Sequence, residues 1–282
     1  MAFKPRNGRK NMYGIKYYPG TRNSTISLSA MNRLTVFLLH ALSGRLLLEL
    51  REMNMKINRA LHEIRDALEG KVQPISAKRL PLVTICIPTR NEEHFIGQAL
   101  FAIQRINVYP RYEVIVVDSL SSDRTRDIAK TFGAKIIENT HVGKLGLSRH
   151  MCSLEARGEI IVQIDADTVL TPFILYRTVI NLMKQKLGIY HVSHYYYDAN
   201  ALYNLAAHYY DKYFRKPYKT TGHFIAYTRE LYDYVQFDVN AALATEDYKF
   251  GEDVYRRFGS KIFKFDTNET VLVSARGYKR RG

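Results

Sequence analysis

Tryptophan is absent from this 282-residue chain, and cysteine occurs only twice, as Cys86 and Cys152. Two cysteines make no disulfide framework, and Cys86 lies inside an apolar run. Both are therefore expected to be reduced, with the chain cytoplasmic and peripheral at the cytoplasmic face of a membrane. Long apolar runs are missing too. The most hydrophobic stretch, LTVFLLHALSGRLLLEL at residues 34–50, has only 17 positions and is broken by His40, Arg45 and Glu49. A membrane-crossing helix needs about 20 mostly apolar residues, so a packed helix, or one lying in the plane of an interface, is expected instead. The stretch starts too late for a signal peptide and no small-residue cleavage site follows, so none is expected. No internal repeat or low-complexity tract occurs.

Acidic residues are outnumbered, 27 Asp and Glu against 42 Lys and Arg, for a net charge of +15. The excess is uneven. Residues 1–80 carry 15 basic and 5 acidic side chains, and residues 81–282 carry 27 and 22. A basic front end of this kind attracts anionic lipid or nucleic acid, or is simply a solvated basic surface. It has no recognisable nucleic-acid motif and few aromatic residues, so no specific nucleic acid is expected. An anionic membrane surface met through residues 1–70 is the partner this charge implies.

What is present falls into two parts. Residues 1–80 form a basic, helical extension and linker: 1–30 are expected to be poorly ordered, Ile57, Leu61, Ile64 and Leu68 recur at helical spacing, and Gly70 stops that helix. Residues 81–282 form a second domain in which strands and helices alternate. LVTICI (82–87), EVIVVD (113–118), KIIE (135–138) and the run from 159 are strands. Helices are expected over 92–104 with Asn91 as cap, from Ser122 to Gly133, over 144–157, and after Thr171 and Pro172. This rhythm predicts an α/β fold with a mostly parallel sheet and right-handed crossovers. Ligands then bind outside the carboxyl ends of the strands, where Asp118 and Asp165 both stand. Further on, YHVSHYYY (190–197) is a strand, 199–214 a tyrosine-rich helix, and Thr245 caps a helix stopped by Gly259.

The chemistry concentrates in EIIVQIDADTVL, residues 159–170, where a greasy strand ends in two carboxylates. Residues i and i+2 of a strand point to one side, so Asp165 and Asp167 are expected to converge on a spot that needs water, a proton or a cation. The first βα loop, PTRNEE, lacks the glycines of a dinucleotide-binding turn. A Mg²⁺ or Mn²⁺ ion on Asp165 and Asp167 is then the expected phosphate holder.

Four segments in order, IPTRNEEHFIGQAL (87–100), VIVVDSLSSDRTRDIA (114–129), GLSRHMCSLEARGEIIVQIDADT (146–168) and ATEDYKFGEDVYRRFG (244–259), resemble the family 2 inverting glycosyltransferases, which have the GT-A fold. The resemblance covers about residues 81–281. It implies a nucleotide-sugar donor, UDP- or GDP-linked, and a glycan or lipid-linked acceptor. It also implies that Pro88, Thr89 and Glu92 border the base and ribose, that Asp118 accepts a hydrogen bond from the base, and that Arg149, with Lys144, faces the nucleotide or diphosphate. Asp165 would lie near ribose and metal, Asp167 would ligate the metal, and Asp247 would be the general base. One departure is that Asp118 is followed by Ser119 where many relatives carry a second acid. Gly222 and His223 occupy the region that borders the transferred sugar in that family.

Each feature also has a plainer explanation. Two acids before a turn are often only solvated, and acids in the first turn of a helix, as Asp247 is, favour the helix dipole without catalysis. His191 and His194 lack a third metal partner and are expected to be surface or core histidines. The tyrosines between 190 and 218 serve packing as readily as a sugar groove. IVQIDADTVL also resembles the first motif of HAD-type phosphatases, with the first Asp as nucleophile, although that motif normally opens its domain. A non-enzymatic membrane or nucleic-acid binder is the third reading.

Overall fold

Seven strands of this chain are short, apolar and mostly buried on both faces, the signature of a sheet covered by helices on either side. The computed structural model describes residues 9–10, 16–17, 35–37, 44–76 and 80–279. The expectations for the rest of residues 1–43 and for the last three residues lie outside these. The chain divides into two compact units, Met1–Glu52 and Met53–Gly282. In the first, β1 (Arg9–Lys10) and β2 (Lys16–Tyr17) pair antiparallel. The boundary falls within α1 (Arg45–Leu68), which runs unbroken where the sequence pattern suggested two separate helices. No helix among the described residues is long and apolar enough to cross a membrane.

In the second unit the strands are β3 (Val83–Thr89), β4 (Tyr112–Asp118), β5 (Lys135–Glu138), β6 (Ile160–Gln163), β7 (Ile189–Tyr196), β8 (Ile225–Thr228) and β9 (Phe263–Val273), ordered β5-β4-β3-β6-β8-β7-β9. The pairs β3–β4, β3–β6, β4–β5 and β7–β9 are parallel, whereas β8 runs antiparallel to both of its neighbours. Gln163, the last residue of β6, pairs with Ile225, the first of β8. The chain therefore reaches the carboxyl rim of the sheet just before β8, at the place where it leaves β6. β9 also ends at this rim, with Val273 opposite Tyr196.

The helices are α2 (Ile96–Phe101), continued by a π-helical turn over 102–106, α3 (Thr125–Thr131), α4 (Leu145–Glu155), α5 (Ile174–Gln185), α6 (Ala201–Tyr213), α7 (Arg229–Tyr234), α8 (Glu246–Phe258) and α9 (Arg276–Lys279). Alternate residues of β3 feed two cores. Val83, Ile85 and Ile87 join Ile96, Leu100 and Ile174, while Cys86 joins Ile115, Tyr227 and Phe250.

The 53–68 stretch of α1 belongs to this second unit, although the sequence reading drew its boundary at residue 80. Met53, Lys56 and Ala60 form its buried stripe. Glu63 takes a two-pronged grip from Arg177 of α5, which also bonds Glu269 in β9 at 2.8 Å. Arg59 bonds the carbonyl of Asn268, in the stretch of β9 where the ladder to β7 is interrupted.

One expectation is overturned by the core. Cys86 and Cys152 are not free thiols but a disulfide joining β3 to α4 across 66 positions, with a Cα–Cα distance of 5.8 Å and both residues wholly buried. Several caps also shift. Asn91 does not open a helix; it sits at φ 54° and its side chain accepts from the Ser122 amide. Thr171 and Pro172 precede α5 by a turn, whose first residue is Ile174. Asn200, not singled out in the sequence, caps α6 by accepting from the Leu202 and Tyr203 amides.

Candidate active site

The loops leaving β3 and β4 are stitched to each other. The amides of Asn91, Glu92 and Glu93 donate to Ser121 Oγ, Thr125 Oγ1 and Asp123 Oδ2 at 2.8, 2.7 and 3.1 Å. At their root lies Asp118, the last residue of β4 and wholly buried. Its carboxylate accepts from Thr89 Oγ1 at 3.3 Å, from Ser121 Oγ at 2.5 Å and from the Ser121 amide at 3.0 Å. Pro88 is buried in β3 opposite Val117.

Asp165 and Asp167 do not project from a strand. β6 stops at Gln163, and the two acids lie in a turn closed by the Thr168 amide on the Asp165 carbonyl at 3.0 Å. The i, i+2 argument therefore does not apply to them; the turn gives each acid its own cation. Asp165 accepts Arg149 Nη2 on Oδ1 at 2.7 Å and His223 Nδ1 on Oδ2 at 3.0 Å. Asp167 Oδ2 meets Arg276 Nε at 2.9 Å. The acids still influence each other. Burial and then the Asp165 charge push the Asp167 carboxyl up to about 6, despite Arg276. Burial alone would raise Asp165, but the Arg149 charge and the His223 hydrogen bond outweigh it and hold that carboxyl well below the usual range.

Arg149 is the hub. It stands on α4, is 1% exposed, and also gives Nε to Glu246 Oε1 at 3.2 Å. Its Nη1 and Glu246 Oε2 are buried without a hydrogen-bond partner in the protein, unusual enough to call for an explanation. Glu246 and Asp247 begin α8. Asp247 Oδ2 accepts the Gly222 amide and Oδ1 the Tyr248 amide, while Thr220 Oγ1 donates to the Asp247 carbonyl. Burial, then Asp165 acting against Arg149, raises the Asp247 carboxyl above its ordinary value. Gly222 touches both halves of this group, since a Cβ there would collide with the Arg149 guanidinium.

The sequence-derived residues thus separate into sets. Arg149, Asp165 and Asp247 are linked through Gly222 and His223, and Asp167 and Glu92 are linked through Arg276. Asp118 and Thr89 form a separate buried pair. Lys144 makes no ion pair with these acids and reaches Asn240 Oδ1 at 3.5 Å. His191 and His194 are core residues; burial keeps both rings below their usual pKa, His194 against the His223 ring with centroids 4.4 Å apart. Glu246 and Arg276 were not singled out as site residues. Glu246 was readable beside Asp247, whereas nothing local marks Arg276, which lies 184 positions from Glu92.

Residues 84–238 match the profile of Glycosyl transferase family 2, more than half of the chain. The chain belongs to that family. Family membership supports the glycosyltransferase reading over the phosphatase and the non-enzymatic one. A probable glycosyltransferase of Bacillus subtilis (strain 168), YdaM, is 37% identical over 121 residues, 39% of this chain and 28% of that protein. The 4,4'-diaponeurosporenoate glycosyltransferase of Staphylococcus aureus (strain USA300) is 29% identical over 177 residues, 57% of this chain and 45% of that protein. The chain thus spans less than half the length of these curated relatives. Among solved structures, a mannosyltransferase from Pyrobaculum calidifontis in complex with GDP-Man and Mn²⁺ superposes with a TM-score of 0.56 at 22% identity, over 84% of this chain and 71% of that one. Glucosyl-3-phosphoglycerate synthase from Mycobacterium tuberculosis, with Mn²⁺, uridine diphosphate and glucosyl-3-phosphoglycerate, gives 0.55 at 22%, over 72% and 75%. The fold is GT-A, as the sequence resemblance implied.

Proposed function

We propose that this chain transfers a sugar from a nucleoside diphosphate donor to an acceptor hydroxyl with inversion, and that Asp247 is the base. The observation that carries this reading is the Arg149–Asp165–Gly222–Asp247 group, which ties Asp165, just beyond β6, to the start of α8. The acceptor hydroxyl needs a positioned base as it attacks, worth roughly 10²–10⁴-fold in rate. Two backbone amides fix the Asp247 carboxylate, and its raised pKa makes it a stronger base than a solvated aspartate. Arg149 stays cationic beside Asp165 and Glu246 and keeps its buried Nη1 without a partner in the protein. That donor, and the unsatisfied Glu246 oxygen, support a polar ligand completing the site.

The donor set fits a divalent cation: hard carboxylate oxygens, with Asp167 pushed up to about 6 by burial and the neighbouring Asp165 charge, a penalty that an added cation would relieve. Asp167 would hold the ion with Asp165 beside it. When bound, the ion supplies positive charge to the departing diphosphate. Both oxygens of Asp165 already carry protein donors, which favours Asp167 as the direct ligand. Thr89, Pro88 and Asp118 shape the loop proposed to meet the base and ribose. A lipid-linked or surface-glycan acceptor, approached at an anionic membrane, fits the basic front end and the relatives named for 4,4'-diaponeurosporenoate.

A thermal-shift panel of UDP-, GDP- and CDP-sugars, with and without Mn²⁺, tests the reading. One nucleotide class should stabilise the protein, more so with Mn²⁺. Asp167→Asn should lose the Mn²⁺-dependent part. Asp247→Asn should keep the shift and lose transfer by about 10²-fold or more. Normal transfer by Asp247→Asn would remove it as base.

A further inference from the structure

Arg276 opens α9, three residues beyond the end of β9, and its guanidinium is spent on residues from the loops after β3 and β6. Nη1 and Nη2 fork onto the Glu92 carboxylate, with Nη2 at 2.9 Å from Oε1, and Nε meets Asp167 Oδ2 at 2.9 Å. The plane lies over the Phe95 ring, 4.4 Å from its centroid. The backbone beneath is anchored, since Ser274 Oγ and the Ala275 amide donate to Asp198 at 2.8 and 2.6 Å. Glu92 follows β3 and Asp167 follows β6, neighbouring parallel strands. One cation therefore ties together two acids from the loops that follow neighbouring strands, and both are largely shielded, 15% and 9% exposed.

This rests on Asp167 being the proposed metal ligand. A guanidinium held at 2.9 Å from an oxygen of that carboxylate and a divalent ion on the same carboxylate are like charges within contact distance, and each weakens the other. We propose that Arg276 is a displaceable counter-ion, which neutralises Asp167 and Glu92 in the donor-free protein and must leave Asp167 before a divalent cation can settle there. The exchange gives the donor a role in metal binding. A nucleoside diphosphate brings the anion that a released guanidinium can pair with, so donor and cation bind with positive coupling, and Arg276 carries part of it. Without a donor, metal affinity stays low because the protein supplies its own cation.

The test is Mn²⁺ alone, titrated into the full chain and followed by the electron paramagnetic resonance of free Mn²⁺. Arg276→Gln should bind Mn²⁺ about tenfold more tightly than the wild type, the usual scale for removing an adjacent like charge. Added UDP should tighten Mn²⁺ binding by the wild type more than by the variant. Unchanged or weaker Mn²⁺ binding by Arg276→Gln, with Asp167→Asn abolishing it, overturns the inference while leaving the metal site intact. Mn²⁺ binding that survives Asp167→Asn overturns the metal assignment and the inference together. If Arg276→Gln fails to fold, Arg276→Lys keeps the charge but lacks the fork; it should bind Mn²⁺ more tightly than the wild type, and equal affinity overturns the inference.

Discussion

Gly222 shows how little freedom single residues have at this rim. Its amide fixes Asp247, and a Cβ at the same position would strike the Arg149 guanidinium and lie 3.0 Å from Asp165 Oδ1. Gly222→Ala should push Arg149 off Asp165 and tilt the Asp247 carboxylate. A misplacement of about 1 Å is worth on the order of 10²-fold in rate, while overpacking costs only about 1–3 kcal/mol of stability. Transfer should therefore collapse in a variant whose circular dichroism stays native; transfer near wild-type levels would detach Gly222 from the chemistry. Part of the candidate group was readable because it is written locally. The D-x-D and T-E-D stretches name their own residues, and the structure brings Asp165 and Asp247 into one group. The reason offered for Asp165 and Asp167 was wrong, since the strand ends two residues before Asp165. Arg276 was legible only as one more positive charge, because its partners come from loops 184 and 109 positions away in sequence.

At the scale of elements, α1 changes how the front of the chain should be dissected. From Met53 onward it belongs to the second unit, held by Glu63 on Arg177 and Arg59 on β9. Removing residues 1–52 should leave thermal unfolding of the remainder close to that of the full chain and weaken binding to anionic vesicles. Removing residues 1–70 should also strip Met53 and Ala60 from their buried positions and leave Arg177 and Glu269 without their α1 partners. A loss of several kcal/mol is expected from that second truncation, on the scale of emptied core positions and a broken ion network. Equal unfolding temperatures for the two truncations would show that α1 is dispensable. The helical period of Ile57, Leu61, Ile64 and Leu68 revealed the helix but not its attachment. Leu61 and Leu68 are in fact half exposed, and the buried stripe runs through Met53, Lys56 and Ala60.

For the molecule as a whole, the alternation of strands and helices announced the sheet, and the ordered motifs announced the fold. The two cysteines gave no such warning, because a buried thiol and a buried disulfide leave the same apolar context in a sequence. Their bond closes a loop of 66 positions between β3 and α4. Chain-entropy arguments put such a closure at about 4 kcal/mol. Replacing both with serine should lower the unfolding midpoint in urea without altering donor specificity, and an unchanged midpoint would mean the bond adds nothing. The direction of β8 was equally invisible, since a four-residue strand, Ile225–Thr228, carries no mark of which way it runs. That reversal divides the rim by origin. The walls after β3, β4 and β6 are pinned by the register of parallel strands, but the stretch from 197 to 224 enters the rim from outside the ladder and carries Gly222 and His223 with it. Changes early in that stretch, around α6, can reshape one side of the rim while Thr220, Gly222 and His223 still hold Asp247 and Asp165, so the proposed transferase can vary its acceptor without rebuilding the acids that serve it.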